Sequence, residues 1–170
     1  TAEQHKFREE WKDNHVRNYQ LGGITIQVST DFPINEKTFS PKFKPFQVQV
    51  PGEEVLSIRF VSEVPPLEEL RLGQEVYHSV PWVISQQRDS WIYRGIMDGV
   101  DNQKPYVIAI ANKDHSEIIV CRRAEFFTEN VIEALTTFQS DLILFTRYLV
   151  ERQGMVMHSA GIILNQSGLL

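Results

Sequence analysis

The sequence predicts an α+β chain, with an antiparallel β-rich domain first, then a long amphipathic helix and a short set of apolar strands. Two observations predict it. Between Tyr19 and Arg122, apolar and polar residues alternate with a period of two, whereas from Thr128 to Arg152 apolar residues recur every three or four positions. All eight prolines lie between Pro33 and Pro105, so turns dominate the front of the chain and no proline interrupts the later helical period.

Residues 1–18 read as a charged N-terminal extension. Phe7, Trp11 and Val16 form one weak helical face there, which suits either a solvated segment or a partner-binding helix. Residues 19–123 form the β-rich domain. Ile24, Ile26 and Val28 alternate up to Asp31-Phe32-Pro33. Phe46, Val48 and Val50 alternate up to Pro51-Gly52, and Leu56, Ile58 and Phe60 up to Pro65-Pro66. Further strands are expected at Glu75–Ser79, Trp82–Gln86, Trp91–Ile96, Tyr106–Ala111 and Ile118–Arg122. The run from Tyr106 to Ala111 is apolar on both faces, which places it centrally in its sheet. Short spacers bearing Gly, Pro, Asn or Asp favour antiparallel hairpins.

Residues 124–170 hold the helix and the closing strands. Val131, Leu135, Phe138, Leu142, Phe145 and Leu149 fall on one narrow stripe at 3.6 residues per turn. Thr128 is placed to cap the helix, Glu129 and Glu133 complement its positive start, and Gly154 is placed to stop it. Met155 to Leu164 then reads as a buried strand or strand pair. Asn165-Gln166-Ser167-Gly168 supplies a turn, and Leu169-Leu170 opens another strand.

Composition narrows the function classes. A chain of 170 residues, 42% apolar and 23% charged, fits roughly one folded domain. A net charge of −5 makes no general electrostatic case for nucleic acid. The single cysteine, Cys121, rules out an internal disulfide and a cysteine-based zinc site; in its apolar run it reads as a buried structural thiol. The charged opening carries no signal-peptide pattern, and residues 154–170 are too short and polar to span a bilayer. The expected setting is cytoplasmic, with no nucleic acid and no membrane as partners, and with homo-oligomerisation left open.

No complete phosphate-loop, zinc-protease, paired-cysteine or nucleophile-elbow motif occurs in the sequence. His78 and His115 read as surface or hairpin residues, and Asp98, Asp101 and Asp114 as turn residues. His158 stands apart among Met155, Val156, Met157, Ala160, Ile162 and Ile163, where an unpaired imidazole is costly. Either it is a core histidine satisfied by a backbone carbonyl, or it serves a site.

The stretch Gly154-Met155-Val156-Met157-His158-Ser159-Ala160-Gly161-Ile162-Ile163-Leu164-Asn165-Gln166-Ser167-Gly168-Leu169-Leu170 resembles the lead-in to the phosphate loop of HPr kinase/phosphorylase-like proteins, a group similar in fold to the ATP-dependent phosphoenolpyruvate carboxykinases. That family shows a histidine followed by small residues, a hairpin, and an apolar strand running into Gly-x-Ser-Gly-x-Gly-Lys-Ser/Thr. The specific likeness covers Thr128 to Leu170. His158-Ser159 stands where HPr kinases proper usually have His-Gly, which favours the broader kinase-like group.

The resemblance implies the N-terminal portion of an ATP-dependent transferase, with residues 124–170 opening a P-loop, carboxykinase-like kinase domain. It also implies a phosphoacceptor that is a protein or small-molecule hydroxyl, and ATP and Mg²⁺ as cofactors of the intact parent. It makes His158 a catalytic residue and metal ligand, since the matching histidine of the carboxykinases binds the divalent metal. The rival reading is a non-catalytic β-rich module that binds a ligand or partner. Phosphoryl transfer relies on backbone amides, a lysine and a metal around the transferring group. The amide-and-lysine loop is absent from these 170 residues, so the chain by itself is expected to be inactive and to bind no ATP. Calorimetry with Mg²⁺-ATP checks this; micromolar affinity would overturn it.

Overall fold

The computed structural model describes residues 15–39, 41–96, 105–122, 139–155, 162–164 and 167–169. Two strands, β1 (Val16–Leu21) and β2 (Ile24–Thr30), open it as a hairpin that pairs Leu21 with Ile24. Its two-residue loop needs left-handed backbone at both positions, and Gly22 (φ 56°) and Gly23 (φ 87°) supply it without a Cβ penalty. β1 starts inside the stretch that reads as charged extension, because Val16, Asn18 and Gln20 carry no strong period of their own and their strand is set by pairing with β2. A 3₁₀ turn, Pro41–Phe46, leads to β3 (Gln47–Val48), which pairs with β1. The expected strand from Phe46 to Val50 is thus two residues long, with Phe46 and Val50 exposed on either side of it.

The chain then returns to the far side of β2 as β4 (Glu54–Val61) and crosses to the opposite edge of the sheet. From there β5 (Gln74–Ser79), β6 (Trp82–Gln86), β7 (Ser90–Gly95), β8 (Val107–Asn112) and β9 (Glu117–Arg122) form an antiparallel meander running back to β4. The result is one nine-stranded sheet of order β3-β1-β2-β4-β9-β8-β7-β6-β5.

Two findings correct the expected α+β class. First, the sheet is mixed: β4 runs parallel to both β2 and β9. Turn chemistry identifies hairpins between consecutive strands, but carries no information on which distant strands meet. Second, the described helix, α1, is the twelve residues Gln139–Val150, so the chain is mostly β and not built on a long amphipathic helix from Thr128 to Arg152. Residues 123–138 lie outside the described residues, as does the side chain of Leu142. Periodicity marks a face but does not fix helix ends.

One face of the sheet carries the main core. Tyr19, Ile26, Val28, Leu56, Ile58, Phe60, Ala109, Ala111, Ile118 and Val120 are buried there. Ile34, Phe39 and Phe43, from the connection between β2 and β4, cover one part; the ring of Tyr19 meets those of Phe39 and Phe43 edge-on at 5.7 and 6.0 Å. Leu144 and Tyr148 of α1 join the same cluster, with Phe145 and Leu149 packed against it. On the opposite face Ile92, Ile108 and Cys121 lie beneath Val64, Leu67, Leu70 and Leu72 of the β4–β5 connection. Burial pushes the Cys121 thiol up to about 11, so it stays neutral, as its apolar run implies. β8 is buried on both faces for most of its length, in keeping with its apolar run. A small hairpin, β10 (Ile162–Leu164) and β11 (Ser167–Leu169), forms a second sheet. No helix among the described residues is long and apolar enough to cross a membrane.

The end of α1 is closed by a Schellman arrangement. The Gly154 amide donates to the Leu149 carbonyl (2.7 Å) and the Gln153 amide to that of Val150 (3.1 Å). The left-handed position is Gln153 (φ 58°), one residue before the glycine that the sequence nominates as the stop. A glycine at 153 adopts this backbone without Cβ strain. Gln153→Gly is therefore expected to stabilise the fold by about 0.5–1 kcal/mol in a urea melt. A loss of stability would mean that the Gln153 side chain outweighs the strain.

Candidate functional site

The densest polar cluster among the described residues lies where the last turns of α1 meet the start of β4 and the β8–β9 turn. Two i,i+4 pairs on the helix supply one half of it, Arg147 with Glu151 and Tyr148 with Arg152. Glu54, the first residue of β4, supplies an acceptor: the Tyr148 hydroxyl donates to its Oε1 at 2.7 Å, and Arg152 Nε donates to the same oxygen. Arg152 also reaches the β8–β9 turn, where Nη1 donates to the Asp114 carbonyl (3.2 Å) and Nη2 lies 3.6 Å from the Asp114 carboxylate. Its guanidinium stacks 3.8 Å over the Tyr148 ring. The hydrogen bond from Arg152, and next that from Tyr148, hold the Glu54 carboxyl below its ordinary range. Burial, and then the bond to Glu54, push the Tyr148 phenol up to about 12.

The turn itself is tightly specified. Asn112 Oδ1 accepts from the Glu117 amide and its Nδ2 donates to Ser116 Oγ, while Asp114 Oδ1 accepts from both the amide and the hydroxyl of Ser116. These bonds hold His115 in the left-handed region (φ 59°), and its ring is fully buried. Its surroundings correct the reading of His115 as a surface or hairpin residue; it is in the hairpin but points inward. The composition Lys-Asp-His-Ser marks a turn and is silent on the direction of the ring.

Inside, His115 Nε2 lies 2.6 Å from the Tyr93 hydroxyl, and the Trp91 ring is centred 5.7 Å away. Arg147 lies beside this pair, with its guanidinium 4.8 Å over the Trp91 ring. The Nδ1 atom of His115 is buried without a partner. Burial first, and then the nearby Arg147 charge, push the imidazole down to about 4, so it is neutral near pH 7. Burial raises Tyr93 to about 12.

Chemically, this is a clamp. Carboxylates, phenols and guanidinia are paired with one another, and His115 is sealed from solvent. Arg147 and Arg152 both face carboxylates, and no glycine-rich turn adjoins them, so the described residues do not fit a nucleotide phosphate and no step through ATP is derived from them. No group of three or more His, Cys, Asp or Glu side chains suited to a metal occurs among the described residues. His158, the residue singled out by the sequence, lies outside the described residues. Asp98 and Asp101 also lie outside them, while Asp114 occupies a turn as expected.

The clamp makes stability acid-sensitive in two windows. Between the ordinary histidine value of 6.5 and about 4, the unfolded chain binds a proton at His115 that the folded chain does not. Stability therefore falls as pH drops through that window, by at most about 1.4 kcal/mol per pH unit. Glu54, with a folded value below 4.5, contributes stability that is present above 4.5 and lost as pH falls through its folded value. His115→Asn, which tolerates the left-handed backbone, is expected to flatten the upper window, and Glu54→Gln the lower. Urea melts from about pH 7 to about pH 3.5 check both; wild-type stability independent of pH between 6.5 and 4.5 would overturn the burial of a neutral His115.

No protein-family model, no curated protein and no solved structure matches this chain.

Proposed function

We propose that this chain is the N-terminal portion of an HPr kinase-like, ATP-dependent phosphotransferase acting on a protein or small-molecule hydroxyl. The observation that supports it is the order of features after α1. The helix closes at Gly154, Met157-His158-Ser159-Ala160-Gly161 follows, and then comes the β10–β11 hairpin, whose two-residue connection is Asn165-Gln166. In the family this chain resembles, the same order leads into the phosphate loop. The clamp suits a supporting role. Arg152, fixed to Glu54 and Asp114, stands six residues before His158, so the histidine-bearing segment leaves from an anchored point.

ATP and Mg²⁺ supply the transferring group and its charge neutralisation when bound to the parent. On this reading the chain's own contribution is His158, whose neutral imidazole offers one nitrogen to a metal or a phosphate and has the other fixed by a carbonyl or carboxylate. A second reading, a non-catalytic β-rich binding module, is favoured by β5, all six residues of which are exposed.

Two measurements decide between them. The parent reading frame is expected to continue within about ten residues into a Gly-Lys-Ser/Thr loop; a stop codon or polar linker there favours the binding module. In that parent, His158→Asn is expected to abolish phosphoryl transfer at unchanged melting temperature. Activity that survives in the folded variant would return His158 to the core.

A further inference from the structure

His115 lies between two parts of the molecule that are held in different ways. The β8–β9 turn that carries it is tied into the sheet by backbone: its own amide donates to the Asn112 carbonyl (3.2 Å) and the Ser57 amide to the Ser116 carbonyl (2.8 Å). The end of α1 is held by side chains. Leu144, Phe145, Tyr148 and Leu149 pack on the core, Tyr148 and Arg152 bind Glu54, and Arg152 also binds Asp114. Among the described residues, no backbone-to-backbone hydrogen bond joins α1 to a strand. Where one side must give way, the helix end yields first, because its departure breaks no ladder.

The buried imidazole is ill suited to a second proton. Once protonated, both of its ring nitrogens are donors. Nε2 has the Tyr93 oxygen at 2.6 Å, but Nδ1 is buried without a partner, and an unpaired buried donor on a charged ring is costly. The charges that act on the ring are Arg147 and Glu151 from α1 and Asp114 from its own turn. From β7 it meets Trp91 and the phenol of Tyr93, which burial keeps neutral. The two carboxylates are already engaged, Glu151 with Arg147, and Asp114 with Ser116 and Arg152. Arg147 opposes an imidazolium, and its guanidinium sits over the same Trp91 ring that the imidazole meets. The helix end thus supplies the cation that resists the charge.

We propose that protonation of His115, opposed in the docked state by Arg147, releases the last turns of α1 from a sheet that stays paired, so that the helix end is an acid-operated latch. Withdrawing the helix takes Arg147 away and gives Nδ1 access to water. Released, the ring titrates near its ordinary value of 6.5; docked, it titrates at about 4. Docking is therefore strongest above 6.5, and the ratio of released to docked helix rises by up to about tenfold for each pH unit lost between those values. Below 4.5, protonation of Glu54 weakens its bond to Arg152 and adds to the release. The latch is local, in contrast to the acid sensitivity of the whole fold, and it is independent of the phosphotransferase reading.

Native-state hydrogen exchange tests it, with the protection of each amide taken against its intrinsic rate at the same pH. A twelve-residue helix without its packing is marginal in water, so release exposes the α1 amides. Between pH 6.5 and 4.5, the protection of Leu144 to Val150 is expected to fall at least about tenfold, through an opening that low urea barely promotes. The β8 amides are expected to be at least about tenfold better protected and to respond steeply to urea, because they open only on global unfolding. Helix protection that is level across this range would overturn the proposal. So would helix and β8 amides that share one opening energy and one urea dependence. His115→Asn is expected to make helix protection independent of pH, and Arg147→Gln, which keeps the imidazole, to shrink the fall. A fall of wild-type size in either folded variant would also overturn it.

Discussion

β4 has a neighbour on each side running in its own direction, and the placement of the other elements follows from that. Parallel neighbours cannot be joined by tight turns, so each ladder requires a crossover. The connection from β2 carries Ile34, Phe39 and Phe43 across one face of the sheet, where they become core. The route from β4 to β9 is the whole β5–β9 meander, whose first leg carries Val64, Leu67, Leu70 and Leu72 across the other face. Parallel registry also sets β4 and β9 starting at the same end, with Ser57 opposite Glu117 and its amide bonded to the Ser116 carbonyl. Glu54 and Asp114 consequently lie close enough to share Arg152, which fixes where the last turn of α1 can sit.

Much of the strand content was legible because a half-covered strand has to alternate. The run Trp82–Gln86 matches its strand residue for residue, and the other runs expected between Ile24 and Arg122 agree to within two positions at each end, whereas β1 was not expected and Met155 lies exposed, outside any strand. Where alternation misled, other physics decided: Phe46 and Val50 have the right spacing, but the flanking segment is a 3₁₀ turn with Pro41 and Pro45, and only Gln47 and Val48 find a partner in β1. The parallel ladders were not legible, since each joins strands that no local turn connects. The helix was legible as a face and not as a length, because a hydrophobic stripe reports which residues seek burial and not where the backbone ladder begins.

The cluster around Glu54 was harder to see. Its members come from β4, β7, the β8–β9 turn and α1, so no sequence window holds two sides of it. The available signals were the i,i+4 pairs Arg147/Glu151 and Tyr148/Arg152, which mark an organised polar edge on the helix, and the same-face spacing of Trp91 and Tyr93. His115 gave none, because a histidine between Asp114 and Ser116 looks like any solvated turn until the positive φ is known. The sequence instead drew the eye to His158, whose apolar neighbours make it conspicuous.

The place of β4 also bears on the order in which the chain can assemble. Pairing Ser57 with Glu117 closes a loop of about sixty residues, whereas each hairpin from β5 to β9 closes a far shorter one. Entropy therefore favours a meander that forms on its own account and meets β4 afterwards. The seam joining the two halves of the sheet is then among the last to close, although it lies at the centre of the finished molecule. Until it closes, Arg152 has Glu54 and Asp114 on separate pieces of chain, so the end of α1 becomes anchored only once the sheet is whole.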